Sequence, residues 1–370
     1  MTNVRLHAID PTALTGDDIA ALSELSAAVS DGGAVSFRLV PTLGVADYLR
    51  LTKPDSVGVL ATEGGSGRPV GAAWLDFGVC TLGGRRTRYA LLNGLQVHPG
   101  FRRRGIAAEL TEWRLARAQQ SAGRTAAQGA GSAATDRDLP VVPLATIQHG
   151  NVASLGNARR WATRISAPLT VTPVPMRREA PRNAHPWTIR PAGSDDLAVV
   201  ATGLAQARSA FCIGPDLAPE SLRHWLSRGS DGRPLNRYMV ITGPDDRPLA
   251  GLGVHDQPRY SQMQVTGLNP ALRWVARLAG VVPASGTMRN LQAVLPWCVP
   301  GAQPAGRVLW RELLYRERRR GTSIVTTIDA RDPSRAMVRA ARWLPTTSIV
   351  VASRPPEGMH YPDGPIELPV

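Results

Sequence analysis

Lysine is almost missing from this 370-residue chain: Lys53 is the only one among 43 basic residues, and all the others are arginine. Against 29 acidic residues the formal net charge is +14. So complete a bias fits a GC-rich genome, and the charge by itself selects no partner, although it attracts anions of every kind. Cysteine is scarce as well: Cys80, Cys212 and Cys298 are far apart and odd in number. That excludes a disulfide framework and fits reduced thiols in a cytoplasmic protein. No Cys/His cluster has ligand spacing, so no metal is expected. Aromatic residues make up only 5%, with no basic patch interleaved with aromatics and no groove-reading motif, which argues against nucleic acid. No segment approaches the roughly 18 apolar residues of a membrane span. The opening MTNVRLHAID lacks the basic-then-apolar order of a secretory leader.

What is present supports folded domains. Hydrophobic residues reach 43%, while 36 glycines and 31 prolines require many loops. At this length about two domains are expected. The most informative stretch is Leu91 to Ala118, LLNGLQVHPGFRRRGIAAELTEWRLARA. It reads as a strand to Val97, a turn at His98-Pro99-Gly100, a basic loop and then a helix. Ile106, Leu110 and Trp113 mark the helix's apolar face. A helix that starts after a Gly turns its free N–H groups and positive dipole end outward. Arginines beside that end make a site for pyrophosphate.

The segment Arg102-x-x-Gly105-x-Ala107, after Val97-x-Pro99, resembles the acyl-CoA loop of the GCN5-related N-acetyltransferases. The resemblance implies an α/β (α+β) fold of tandem domains. Each would have a mixed, mostly antiparallel central sheet flanked by helices. It also implies that Arg102, Arg103, Arg104, Gly105, Ile106 and Ala107 hold the donor's phosphates, and that backbone amides of Leu95, Gln96 and Val97 polarise the thioester carbonyl. Asn151 and Ser154 match that family's N-x-x-[AS], which places Asn151 on the pantetheine arm; a plain helix cap by Asn151 is the equal alternative.

Taken in order, the pattern predicts a strand at 4–9, helices at 17–29 and 45–51, and strands at 57–61, 70–80 and 88–97. A mobile surface insertion is expected at 121–138. A strand at 141–147, a helix from Asn151 to about Trp161 and a closing strand at 167–176 would complete a first domain, 1–176. Residues 177–187 read as a linker. Residues 188–353 read as a second copy, in which Asn290 to Val294 echoes Asn93 to Val97 and Gly306 to Arg320 echoes the helix after Gly105. Its loop fits the family pattern only through Gln303, Gly306 and Val308, with Pro304 removing an N–H and no flanking arginines, so this copy is expected to be degenerate. The insertion 257–289, with Trp274 and Leu278, is expected to cap something, and 354–370 to be an irregular tail.

Acyl transfer from a thioester to an amine needs a base for the amine, an oxyanion site and a proton for the thiolate. His149 and Asp76 are the candidate bases. The resemblance places a Tyr acid at a position that here is Ala158, which leaves Ser154 or water as the acid. The expected donor is acetyl-CoA or another acyl-CoA, and the acceptor is the amine of a small molecule or peptide. Two alternatives stay open: the phosphopantetheine of an acyl carrier protein as donor, as in natural-product biosynthesis, and a non-catalytic acyl-CoA-binding or scaffold role.

Overall fold

A computed structural model describes residues 4–29, 36–123, 136, 139–181, 185–230, 232–267, 274, 277, 280, 282–359, 361 and 363–368. Most of the expected insertion 121–138, as well as Leu278, lies outside the described residues. The chain forms two compact units. The first comprises Met1–Cys80, Arg85–Pro168 and Ile349–Tyr361; the second comprises Thr81–Gly84, Leu169–Ser348 and Pro362–Val370.

In chain order the first unit carries β1 (Val4–Ile9), α1 (Gly16–Ala28), β2 (Ser36–Pro41), α2 (Val45–Thr52), β3 (Ser56–Glu63) and β4 (Pro69–Leu82). There follow β5 (Arg85–Val97), α3 (Ile106–Gly123), β6 (Val141–Gln148) and α4 (Val152–Ala158). The strands of this unit lie in the order β1-β3-β4-β5-β6, followed by the C-terminal strand that contains Ile349–Ser353. β1 and β3, and β3 and β4, are antiparallel, whereas β5 and β6 are parallel. Alternation along the strands divides the core between two faces. Leu60, Ala72 and Trp74 pack with Leu22 and Leu25 of α1 and Leu49 of α2. Val59, Ala61 and Ala73 pack with Ile106 and Leu110 of α3. α1 starts on a capping box in which the Asp18 amide donates to Thr15 Oγ1 (3.1 Å) and the Thr15 amide to Asp18 Oδ2 (3.0 Å).

The second unit repeats this order and sense. Its sheet runs Thr188–Pro191, Asn236–Thr242, Pro248–His255, Asn290–Cys298, Ser323–Ile328 and Leu169–Pro175. Only the pair Asn290–Cys298 with Ser323–Ile328 is parallel; the others are antiparallel. The helix Gln303–Arg316 buries Leu309, Trp310 and Leu313 in the core of this unit.

Two expectations differ from what is observed. The strand at Leu169–Pro175 does not close the first unit; it pairs with Ser323–Ile328, Val174 opposite Ile324. Its counterpart beside β6 is the C-terminal Ile349–Ser353, with Val351 opposite Thr146. Each unit therefore takes its sixth strand from the other half of the sequence. α4 ends at Ala158 rather than Trp161. The region corresponding to α4 in the second unit holds only a 3-10 turn, Pro333–Ala336, capped by Asp332.

Candidate functional site

The loop between β5 and α3 is shaped by two residues in the left-handed region, Arg103 (φ 62°) and Gly105 (φ 89°). Together with the extended Arg102 (φ -64°, ψ 157°), these residues turn the chain tightly ahead of the helix and leave its first amides facing outward. The N–H groups of Arg103, Arg104, Gly105, Ile106 and Ala107 have no acceptor among the described residues. Five such donors at the start of an 18-residue helix form a cradle for negative charge. Arg104 lies over the Phe101 ring, 4.9 Å from its centroid, so the loop's single aromatic holds it in place. Arg102 and Arg103 make no ion pair among the described residues and stand exposed. A Cβ on Gly105 would meet nothing within 4 Å, so the mouth of the cradle is open.

Beneath the cradle the sheet parts. The parallel ladder of β5 with β6 stops at Leu91 opposite Leu144, yet β5 continues to Val97 and β6 to Gln148. Gly94 lies in the freed section with φ 56°, and a Cβ there would sit 2.7 Å from Trp74 Cδ1. This bulge needs glycine both for its backbone and for its neighbour. Leu95 and Val97 pack on the face that carries Ile106 and Leu110. The amides assigned to carbonyl polarisation thus lie on a short, irregular strand section next to the cradle.

Arg114, on α3, is 2% exposed. Its guanidinium donates to the carbonyls of Asn93 (3.2 Å), Trp74 (3.4 Å) and Leu110 (3.2 Å) and to Thr111 Oγ1 (3.0 Å). Burial pushes its pKa down to about 10. A carbonyl bound by a guanidinium strengthens the N–H of the same peptide as a donor; for Asn93 that N–H belongs to Gly94. Arg114 thereby ties the bulge to α3. The sequence carried one signal of it: an arginine four residues after Leu110, on the face expected to be apolar.

Asp76 does not stand free as a base. Lys53 Nζ reaches Asp76 Oδ2 at 2.6 Å, Ser56 Oγ donates to Oδ1 at 2.6 Å, and Asn93 Nδ2 also donates to Oδ2. The chain's single lysine is therefore spent on the carboxylate that fixes Asn93, the residue before the bulge. Asn93 Oδ1 is buried without a partner. Of the other candidates, His149 is exposed in the turn after β6, followed by Gly150 at φ 91°. Asn151 Oδ1 accepts the Ser154 amide (3.1 Å), so it caps α4. Ala158 is 2% exposed within the core of Leu75, Leu92 and Trp161. His98 is held by Gly100 N (3.2 Å) and Arg68 Nη2 (3.3 Å).

The second unit has the same strand geometry with its contents changed. The parallel ladder stops at Ala293 opposite Thr326, and Leu295 takes the left-handed conformation (φ 53°) in the freed section. By this geometry Leu295, not Leu291, stands where Gly94 does. The Leu295 amide already donates to Glu367 Oε1 at 3.1 Å. Glu367 pairs with Arg208, whose Nη2 also reaches the Pro296 carbonyl at 3.0 Å. The Ile366 amide donates to Asp329 Oδ2 at 3.1 Å, so the tail is seated rather than loose. Gln303, Gly306 and Val308 lie inside the helix Gln303–Arg316, and a Cβ on Gly306 would be 2.5 Å from Met337 Cγ. No open cradle exists there among the described residues.

No protein-family model matches the sequence, and no curated protein matches it. Solved structures do match. A GCN5-related N-acetyltransferase from Kribbella flavida aligns over 95% of this chain and 71% of its own, at 14% identity and a TM-score of 0.50. The N-myristoyltransferase of Saccharomyces cerevisiae with bound myristoyl-CoA aligns over 95% of this chain and 83% of its own, at 12% identity and a TM-score of 0.56. The chain has the fold of the GCN5-related N-acetyltransferases. Among the described residues there is no group of side chains placed to hold a metal, and no helix is long and apolar enough to cross a membrane.

Proposed function

We propose that the protein is an N-acyltransferase that moves an acyl group from an acyl-CoA to the amine of a small molecule or peptide. The observation that carries this reading is the cradle of five acceptor-free amides at Arg103–Ala107, next to a sheet that parts at a glycine bulge. The pyrophosphate rests on the cradle with Arg102 to Arg104, and the pantetheine arm runs into the gap between β5 and β6. The thioester carbonyl then meets amides of the Leu95–Val97 section, where an oxyanion is stabilised. The amine nitrogen attacks the carbonyl carbon, the C–S bond breaks, and the thiolate leaves.

Proton transfers fall to water and to His149, because Asp76 is engaged and Ala158 is buried carbon. Ser154 lies on α4 behind the Asn151 cap as the remaining hydroxyl. An acyl carrier protein supplies the same phosphopantetheine thioester and remains an alternative donor. We further propose that the chain arose by duplication and that only the first unit binds a donor, since the equivalent position in the second holds Glu367. Ala158 favours a second reading, donor binding without transfer. Thiol release from acetyl-CoA, followed with a panel of primary amines, tests the enzyme reading. Amine-dependent release supports it; tight binding with no release above the hydrolytic background supports the second.

A further inference from the structure

A cavity of about 320 Å³ lies within the second unit, between the segment at His185–Trp187 and the outer face of the helix Gln303–Arg316. Its walls differ in chemistry. On one side His185 and Trp187 stack, with ring centroids 5.9 Å apart and an angle of 24° between planes. On the other, Arg307 and Arg311 stand one helical turn apart, with Val308 between them and Pro304 one turn before. Among the described residues neither arginine has a hydrogen bond or ion pair, and no acidic side chain lines the cavity. Glu312, next in sequence, is engaged by Arg316 at 3.1 Å. His185 Nδ1 is buried without a partner.

Two unpaired guanidiniums at i and i+4 are about 6 Å apart at Cβ, within reach of a single tetrahedral anion. A phosphate's three acceptor oxygens suit both planar forks at once, and a phosphate's charge matches theirs better than a carboxylate's does. The stacked rings offer an apolar, aromatic face for a flat body attached to that anion. The volume lies at the lower end of the range for small-ligand clefts, about 300–1,000 Å³, which admits one base and one phosphate. The cavity also faces away from the strand section filled by Glu367, since Gly306 and Leu309 turn inward while Arg307 and Arg311 turn out.

We propose that this cavity is a second ligand site, which binds a mononucleotide-like anion. The aromatic base lies against His185 and Trp187, and the phosphate lies on Arg307 and Arg311. The site belongs to the second unit and is independent of the donor cradle.

The test is calorimetric titration of the full chain carrying Gly105→Glu, which disables the cradle, with AMP, adenosine and inorganic phosphate. AMP is expected to bind at one site per chain and at least about tenfold more tightly than adenosine or phosphate alone. Arg307→Ala and Arg311→Ala should each weaken AMP binding about tenfold. Trp187→Leu should weaken it about fivefold, with Trp187→Phe restoring most of it. Arg247→Ala, an equal change of charge at an exposed turn, should alter it less than about twofold. A single-stranded tetranucleotide that binds more tightly than AMP would mark the source as a strand; equal or weaker binding marks the free nucleotide. Absence of AMP binding, binding of phosphate as tight as AMP, or equal loss in Arg247→Ala and Arg311→Ala would each overturn the proposal.

Discussion

Replacing Arg114 with Met separates stability from function. The substitution keeps length and volume but deletes the guanidinium that binds the Asn93, Trp74 and Leu110 carbonyls. Two opposing terms set the stability change. Burial lowers the Arg114 pKa from 12.5 to about 10, so holding it charged at neutral pH costs about 3 kcal/mol, which Met regains. Against this, the Asn93 and Trp74 carbonyls lose their side-chain donor, at about 1–3 kcal/mol each if nothing replaces it. The net change therefore lies between a gain of about 1 kcal/mol and a loss of about 3 kcal/mol, and the variant should fold. Transfer should suffer more, because the Gly94 bulge loses its tie to α3 and a displacement of about 1 Å near reacting groups costs about 100-fold. Urea unfolding and amine-dependent thiol release measured on one preparation check this, and Arg114→Lys should recover part of the activity. A folded Met variant with turnover within twofold of the parent would refute the assigned role.

Other outcomes follow from the same geometry. Lys53→Met leaves the Asp76 carboxylate half-buried without its cation and should lower stability by about 2 kcal/mol; a double-mutant cycle with Asp76→Asn should show coupling of at least about 0.5 kcal/mol. Glu367→Ala leaves Arg208 buried and unpaired and should cost about 3–5 kcal/mol in chemical unfolding, whereas a loss under about 1 kcal/mol would show that the tail is not seated. Burial, with a smaller contribution from Arg228, lowers the His255 pKa to about 4. Between about pH 6.5 and 4 the unfolded chain binds the proton first, so stability is fully present above 6.5 and falls by about 3 kcal/mol toward pH 4. His255→Gln should flatten that part of the urea-midpoint profile.

Much of the candidate site was legible because its residues are contiguous. Glycine at 105, the arginines at 102–104 and the apolar spacing of Ile106 and Leu110 occupy one contiguous stretch, and the structure places them as loop and helix start. Strand positions were legible for the same reason, since alternation is a near-neighbour property. Strand partners were not: the pattern of 169–175 says strand, while its pairing with Ser323–Ile328, more than 140 residues away, depends on long-range packing that no local period encodes. The second loop reads as degenerate in the sequence; what its local pattern hid is that Pro304, a favourable first-turn residue, starts the helix at Gln303 rather than at Gly306. Arg114 and Glu367 were hidden in a different way. Each is an ordinary charged residue in sequence and becomes notable only when burial leaves it bound to backbone at a bulge.

Donor binding at the first-unit cradle is tested most directly by calorimetric titration with acetyl-CoA of the parent chain beside Gly105→Glu. The Glu side chain enters open space and its strain at φ 89° is confined to an exposed loop, so the fold should persist, while the added carboxylate opposes the phosphates. The predicted result is one acetyl-CoA per parent chain and a loss of at least about tenfold in affinity in the variant. Absence of binding by the parent, or equal binding by both proteins, would contradict the account.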